Sequence, residues 1–181
     1  MTPDIDVRLQ SVIKAIEQVI LPALDPNNPL AREQAALAIG HLHMIRGQWP
    51  YMADYMAICL SDMVKLGQDL LKVADGGLAT RDAASGLKSI LAKAGKEKDG
   101  PTTAISQRRD AIAVAVDDLI NASAVDGSMS FRDLSENIVL DYGIHQTSRD
   151  RAWFKASGLD PDCAKLPSPA ELVAAPVRKA S

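Results

Sequence analysis

The chain has 181 residues, a formal net charge of −3 and a pI of about 5.6. A weakly acidic chain with only 4% aromatic residues is neither an electrostatic magnet for nucleic acid nor a base-stacking surface, whereas 47% apolar residues suffice for a substantial core. Its two cysteines, Cys59 and Cys163, stand far apart without a CxxC spacing, which points to free thiols in a reducing cytoplasm rather than to a disulfide framework.

The opening MTPDIDVRLQ is polar and holds two aspartates, unlike a signal peptide, and the longest apolar runs, such as Ala111 to Val116, are too short to span a bilayer. The expectation is a soluble cytoplasmic protein of bacterial style with no membrane partner. A first helix is expected from Asp4 to Leu24, because Ile5, Leu9, Val12, Ile16, Val19 and Ala23 recur at steps of four and three. LDPNNP breaks the chain, and Asn28 with Pro29 fits the N-cap and first position of a second helix that runs to about Gln48. Trp49-Pro50 marks the next boundary. A third helix is expected from Pro50 to Asp75, ended by Gly76-Gly77 in a left-handed conformation.

Thr80 is placed as the cap of a short helix carrying Ala84, Leu87, Leu91 and Ala94 on one side, and Gly95 to Pro101 reads as a loop. A fifth helix opens at Thr102 or Thr103 with the stripe Ile105, Ile112, Val116 and Leu119. After a turn at Asp126-Gly127, Ser130 with Asp133 resembles a capping box for a sixth helix that ends near Ser157-Gly158. The rest has four prolines and no clear period, although Pro169 is placed to start a short helix. The expected architecture is all-α: an antiparallel, up-and-down bundle of about five long helices and one short one over residues 1–158, with an extended tail over 159–181.

Residues 41–63, HLHMIRGQWPYMADYMAICLSDM, hold two histidines and five sulfur atoms. His41 and His43 are two apart, so on a helix they diverge by about 200° and do not grip one ion. Met52, Met56, Cys59 and Met63 share a face, as soft ligands for a metal or as the packing of a core would. Core packing is the expected reading, with no metal and no cofactor. His43 also joins Ala36, Gly40 and Gly47 on a small-residue face where a second backbone could approach. No Glu-x-x-His, Walker, dinucleotide or nucleophile-elbow pattern occurs.

Two patterns carry residual chemistry. Asp141, His145 and Arg149 are spaced by four, so an aspartate could orient a general-base histidine, against the simpler reading of a surface ion pair. Residues 76–109, which include Arg81 and end at Arg109, carry seven basic and three acidic side chains. This block runs into the helix start at Thr102 and Thr103, where free N–H groups, hydroxyls and Arg108 could hold an anionic ligand. The sequence thus reads as a helical protein that acts by binding or by assembly with copies of itself. The alternative is a small enzyme or anion-binding bundle using Asp141 and His145 or the basic region.

Overall fold

The computed structural model describes residues 4–94 and 100–174. The expected loop at 95–99 and the end of the tail at 175–181 lie outside the described residues. All extended regular structure within them is helical, and the chain is all-α. One isolated antiparallel bridge joins Gly76 to Gly127. No helix among the described residues is long and apolar enough to cross a membrane. The chain divides into two compact units, residues 4–51 with 150–174, and residues 52–149.

In the first unit, α1 (Ile5–Ala15) begins at Asp4, whose side chain accepts the Asp6 N–H at 2.9 Å. It passes through a π turn, Ile16–Ile20, into the short α2 (Leu21–Ala23). The sequence pattern runs straight through Pro22, but a proline has no N–H for the carbonyl one turn back and its ring collides with that turn. The wider π turn lies just where that strain falls. Asn28 caps α3 (Pro29–Gln48) by accepting the Ala31 N–H at 3.0 Å, with Pro29 at the first position as expected. A 3-10 turn, Trp49–Tyr51, follows.

α1 packs on α3, and Arg46 forms a two-pronged pair with Asp6, Nη2 lying 3.1 Å from Oδ2. Gln48 is buried and donates to the Trp153 carbonyl at 2.8 Å. The Lys155–Ser157 turn rests on α3 and ends at Gly158, whose φ of 70° is left-handed. In the tail, Arg151 holds Asp160 through two bonds of 2.7 and 3.0 Å. Pro169 starts α8 (Pro169–Ala174), which lies against Trp49–Tyr51. Ser168 and Glu171 form a capping box: Glu171 Oε2 accepts the Ser168 N–H at 2.7 Å, and Ser168 Oγ accepts the Glu171 N–H at 3.3 Å.

The second unit holds α4 (Met52–Val73), α5 (Leu78–Ala94), α6 (Thr102–Asp126) and most of α7 (Met129–Trp153). Its core joins Leu66 and Leu70 of α4, Leu87 of α5, Ile112, Ala115, Val116 and Leu119 of α6, and Phe131 of α7. Gly67 lets α4 approach α5, since a Cβ there would meet the Leu91 and Leu87 side chains at 3.2 and 3.3 Å.

The corners of this unit differ from the local reading. Gly76 and Gly77 both keep negative φ, so they do not end α4 by a left-handed cap. They are small because the α6–α7 corner presses on them: a Cβ on Gly76 would sit 2.8 Å from the Asp126 carbonyl oxygen. Gly77 N–H donates to Asp126 O at 2.9 Å, and Ser128 N–H donates to Asp75 O at 3.0 Å. Thr80 does not cap α5 either. It lies in the first turn, and the cap is the Asp126 carboxylate, which accepts from Ala79 N–H at 2.8 Å, Thr80 N–H at 3.0 Å and Thr80 Oγ1 at 2.6 Å. α7 is capped by Ser128 Oγ, which accepts the Phe131 N–H at 3.2 Å, and not by Ser130.

Candidate functional site

Three helices of the second unit converge on a polar cluster. Cys59 and Asp62 lie three apart on α4, and Tyr142, Gln146 and Arg149 lie four and three apart on α7, so each set shares a face. Arg149 pairs with Asp62, the two side chains being 15% and 25% exposed. Arg149 Nη1 also donates to Gln146 Oε1 at 3.3 Å, and Gln146 Nε2 approaches Cys59 Sγ at 3.9 Å. Arg109 of α6 pairs with Asp110 at 2.8 Å, a bond that raises its own pKa, and its charge draws the Tyr142 phenol downward. Burial raises the Tyr142 phenol above its ordinary value, and the neighbouring Cys59 and Asp62 add to the rise. Cys59 is 3% exposed, so its thiol is shut off from any substrate. The cluster ties α4 to α7 through a partly buried ion pair.

The Asp141–His145 pair lies elsewhere on α7. His145 Nε2 is 3.6 Å from Asp141 Oδ1, with side chains 49% and 77% exposed. Arg149, the third member of that sequence row, is engaged by Asp62. In this geometry the two are a solvent-exposed surface pair, and among the described residues no nucleophile is bonded to either. The sequence alone points to the row Asp141, His145, Arg149 and misses the cluster; the spacing Tyr142, Gln146, Arg149 on the neighbouring face is the signal that could have found it, and its partners on α4 are not readable locally.

The sulfur-rich stretch divides. Cys59 is buried, Met63 packs against the core, and Met52 and Met56 are half-buried. Among the described residues no three His, Cys, Asp or Glu side chains are grouped to hold a metal ion. His43 Nε2 lies 3.3 Å from Glu17 Oε1 on the surface of the first unit, and His41 is exposed. A Cβ added to Gly40 or Gly47 would meet nothing within 4 Å, so this small-residue face is open within its unit.

At the N-terminus of α6, Pro101 is the N-cap residue, and no described side chain caps the helix. The N–H groups of Ala104 and Ile105 both reach back to Pro101 O, at 2.9 and 3.2 Å, and Thr102 and Thr103 are exposed. Arg108 donates from Nε to Ala104 O at 3.1 Å. A further feature lies between α6 and α7: an open groove of about 540 Å³ lined by Ile120, Ser123, Ala124, Arg132, Ser135, Glu136, Val139 and Leu140, where the Ser123, Arg132 and Ser135 side chains bond to backbone carbonyls. It lacks the convergent polar groups of an active site.

No protein-family model, curated protein or solved structure matches the chain.

Proposed function

We propose that this protein acts by assembly, through association of two copies along the helices of its first unit. The carrying observation is how little that unit buries. Ile13 is the one fully buried large apolar residue of α1, while Val7, Val12, Val19 and Ile20 stay exposed, Val19 at 66%. On α3, Leu30, Leu37 and Ile45 are exposed, Leu30 at 65% and Leu37 at 50%. A helix exposing this much apolar surface forgoes most of its burial energy, about 1.5–3 kcal/mol for each such side chain fully covered.

The spacing favours a helical partner. Leu30, Leu37 and Met44 are seven apart on α3, as are Ile5 and Val12 on α1, which keeps each set on one line of its helix. Gly40 and Gly47, open on α3, let another backbone come close. A second copy is the occupant that fits: residues 1–51 carry four basic and five acidic side chains, so no single-sign field pushes two copies apart. A standard interface needs about 800 Å² from each partner, within reach of two exposed helical faces.

Sedimentation velocity at micromolar protein is the test. A mass of about twice 19.4 kDa is expected, falling to one chain in Leu37→Asp with helix content retained. A wild-type protein that stays monomeric at high concentration overturns the reading.

A further inference from the structure

The groove between α6 and α7 lies within the second unit and shares no residue with the apolar faces argued above for self-association. Three of its polar side chains are spent on the chain's own carbonyls: Ser123 Oγ on Ile120 O at 2.7 Å, Ser135 Oγ on Arg132 O at 2.9 Å, and Arg132 Nε on Ser123 O at 2.9 Å. Apart from the Glu136 carboxylate, what the groove offers a partner is therefore apolar. Val139 and Leu140 are exposed there, and exposed Ile144 continues the line of Leu140 one turn on. A Cβ added to Gly143, one turn beyond Val139, would meet nothing within 4 Å, so another backbone can come close along this line.

Charge decides which partner fits. Residues 110–148 hold seven acidic side chains and a single basic one, Arg132. On the groove's side of α6, Asp117 stands three residues before Ile120; on α7, Asp133 stands three before Glu136. The ion pairs within this unit engage Asp62, Asp69, Asp110 and Asp141. Among the described residues, Asp117, Asp133 and Glu136 have no cation. Arg132 pairs with none of them, because its guanidinium is held at the carbonyl end of α6, Nη2 also reaching Ala124 O at 3.4 Å. A cleft edged by one sign of charge draws the opposite sign.

The walls are helices, whose backbone groups are bonded within themselves. An extended segment would find no strand edge to join, whereas a helix brings its own backbone bonds and needs only an apolar face. We propose that this groove docks a basic amphipathic helix of a partner protein, with its apolar face on Ile120, Val139 and Leu140 and its lysines or arginines against Asp117, Asp133 and Glu136.

The test uses the full chain and a fluorescent leucine–lysine peptide of about 18 residues, long enough to close several helical turns, with its leucines on one face. One control peptide has glutamate in place of lysine; another keeps the composition and scatters the leucines round the helix. Fluorescence anisotropy is expected to show the leucine–lysine peptide binding about tenfold or more tightly than either control, and binding that weakens as salt is raised. Leu140→Gln removes an exposed apolar side chain and leaves helix content unchanged; it is expected to weaken binding by about tenfold or more, as is the triple change Asp117→Asn, Asp133→Asn, Glu136→Gln. Val114→Gln, at an equally exposed residue of α6 that does not line the groove, is expected to change nothing. Leu140→Gln binding as tightly as wild type, or Val114→Gln losing as much, overturns the proposal. An acidic or scattered peptide that binds equally well overturns the choice of a basic amphipathic helix. Two results would assign the groove to this chain instead and so overturn the partner. One is a wild-type mass in sedimentation, without peptide, that falls in Leu140→Gln, since a second copy is then the occupant. The other is peptide binding that tightens about tenfold when Arg178 and Lys179, the chain's own competing cations, are both changed to glutamate.

Discussion

Asp126, the last residue of α6, caps α5: its carboxylate takes the Thr80 hydroxyl at 2.6 Å and the Thr80 N–H at 3.0 Å. The Thr80 hydroxyl, with the N–H groups of Thr80 and Ala79 behind it, holds the Asp126 pKa below its ordinary 3.8. A carboxylate whose pKa is lower in the folded chain contributes stability above its unfolded value and loses it as pH falls through the folded value. Thermal melts are expected to show a stability loss as pH drops below about 4. In Asp126→Asn the loss should be shallower and the neutral-pH melting temperature lower. An acid limb identical in the two proteins would remove Asp126 as its source. Gly77→Ala should lower the melting temperature for a steric reason, because its Cβ would fall on the Asp126 carboxylate.

Phe131 has no exposed surface and sits among residues of α4, α5 and α6. Phe131→Ala is expected to cost about 3–5 kcal/mol in urea unfolding, and Leu70→Ala about 2–5 kcal/mol. Losses under 1 kcal/mol at both sites would mean that this core is not packed as described.

The Asp62–Arg149 pair is partly buried, so breaking it strands one charge. Asp62→Ala and Arg149→Ala should each destabilise by about 1–3 kcal/mol. The double substitution should cost less than the sum by about 0.5–3 kcal/mol, a coupling read from a double-mutant cycle. Purely additive losses would show that the pair does not form in solution.

The Asp141–His145 pair should behave oppositely. With both side chains largely solvated, His145→Gln and Asp141→Asn are expected to change stability by less than about 1 kcal/mol.

Much of the helical order was readable because its signals are local. Asn28 with Pro29 and the opening of α6 at Thr102 each lie within a turn of what they start. The corrections arise where distant chain meets. Thr80 resembled a cap, but a residue from another helix fills that role. Gly76-Gly77 resembled a helix stop, but its smallness serves the approach of Asp126 and Gly127. Within the site, the row from Asp141 through His145 to Arg149 was visible as spacing, yet Arg149 turns to Asp62 on α4, a choice made by packing and not by period.

The cap of α5 has a consequence for how the chain is made. Ala79 and the carboxylate that holds its N–H are 47 residues apart. A nascent chain or fragment that stops short of Asp126 has the whole of α5 but nothing to close its first turn, so that end should fray. Amide exchange at Ala79 and Thr80 would then be fast in a 52–94 peptide and slow in the full chain. The start of one helix is in this sense completed only when the end of the next has been synthesised.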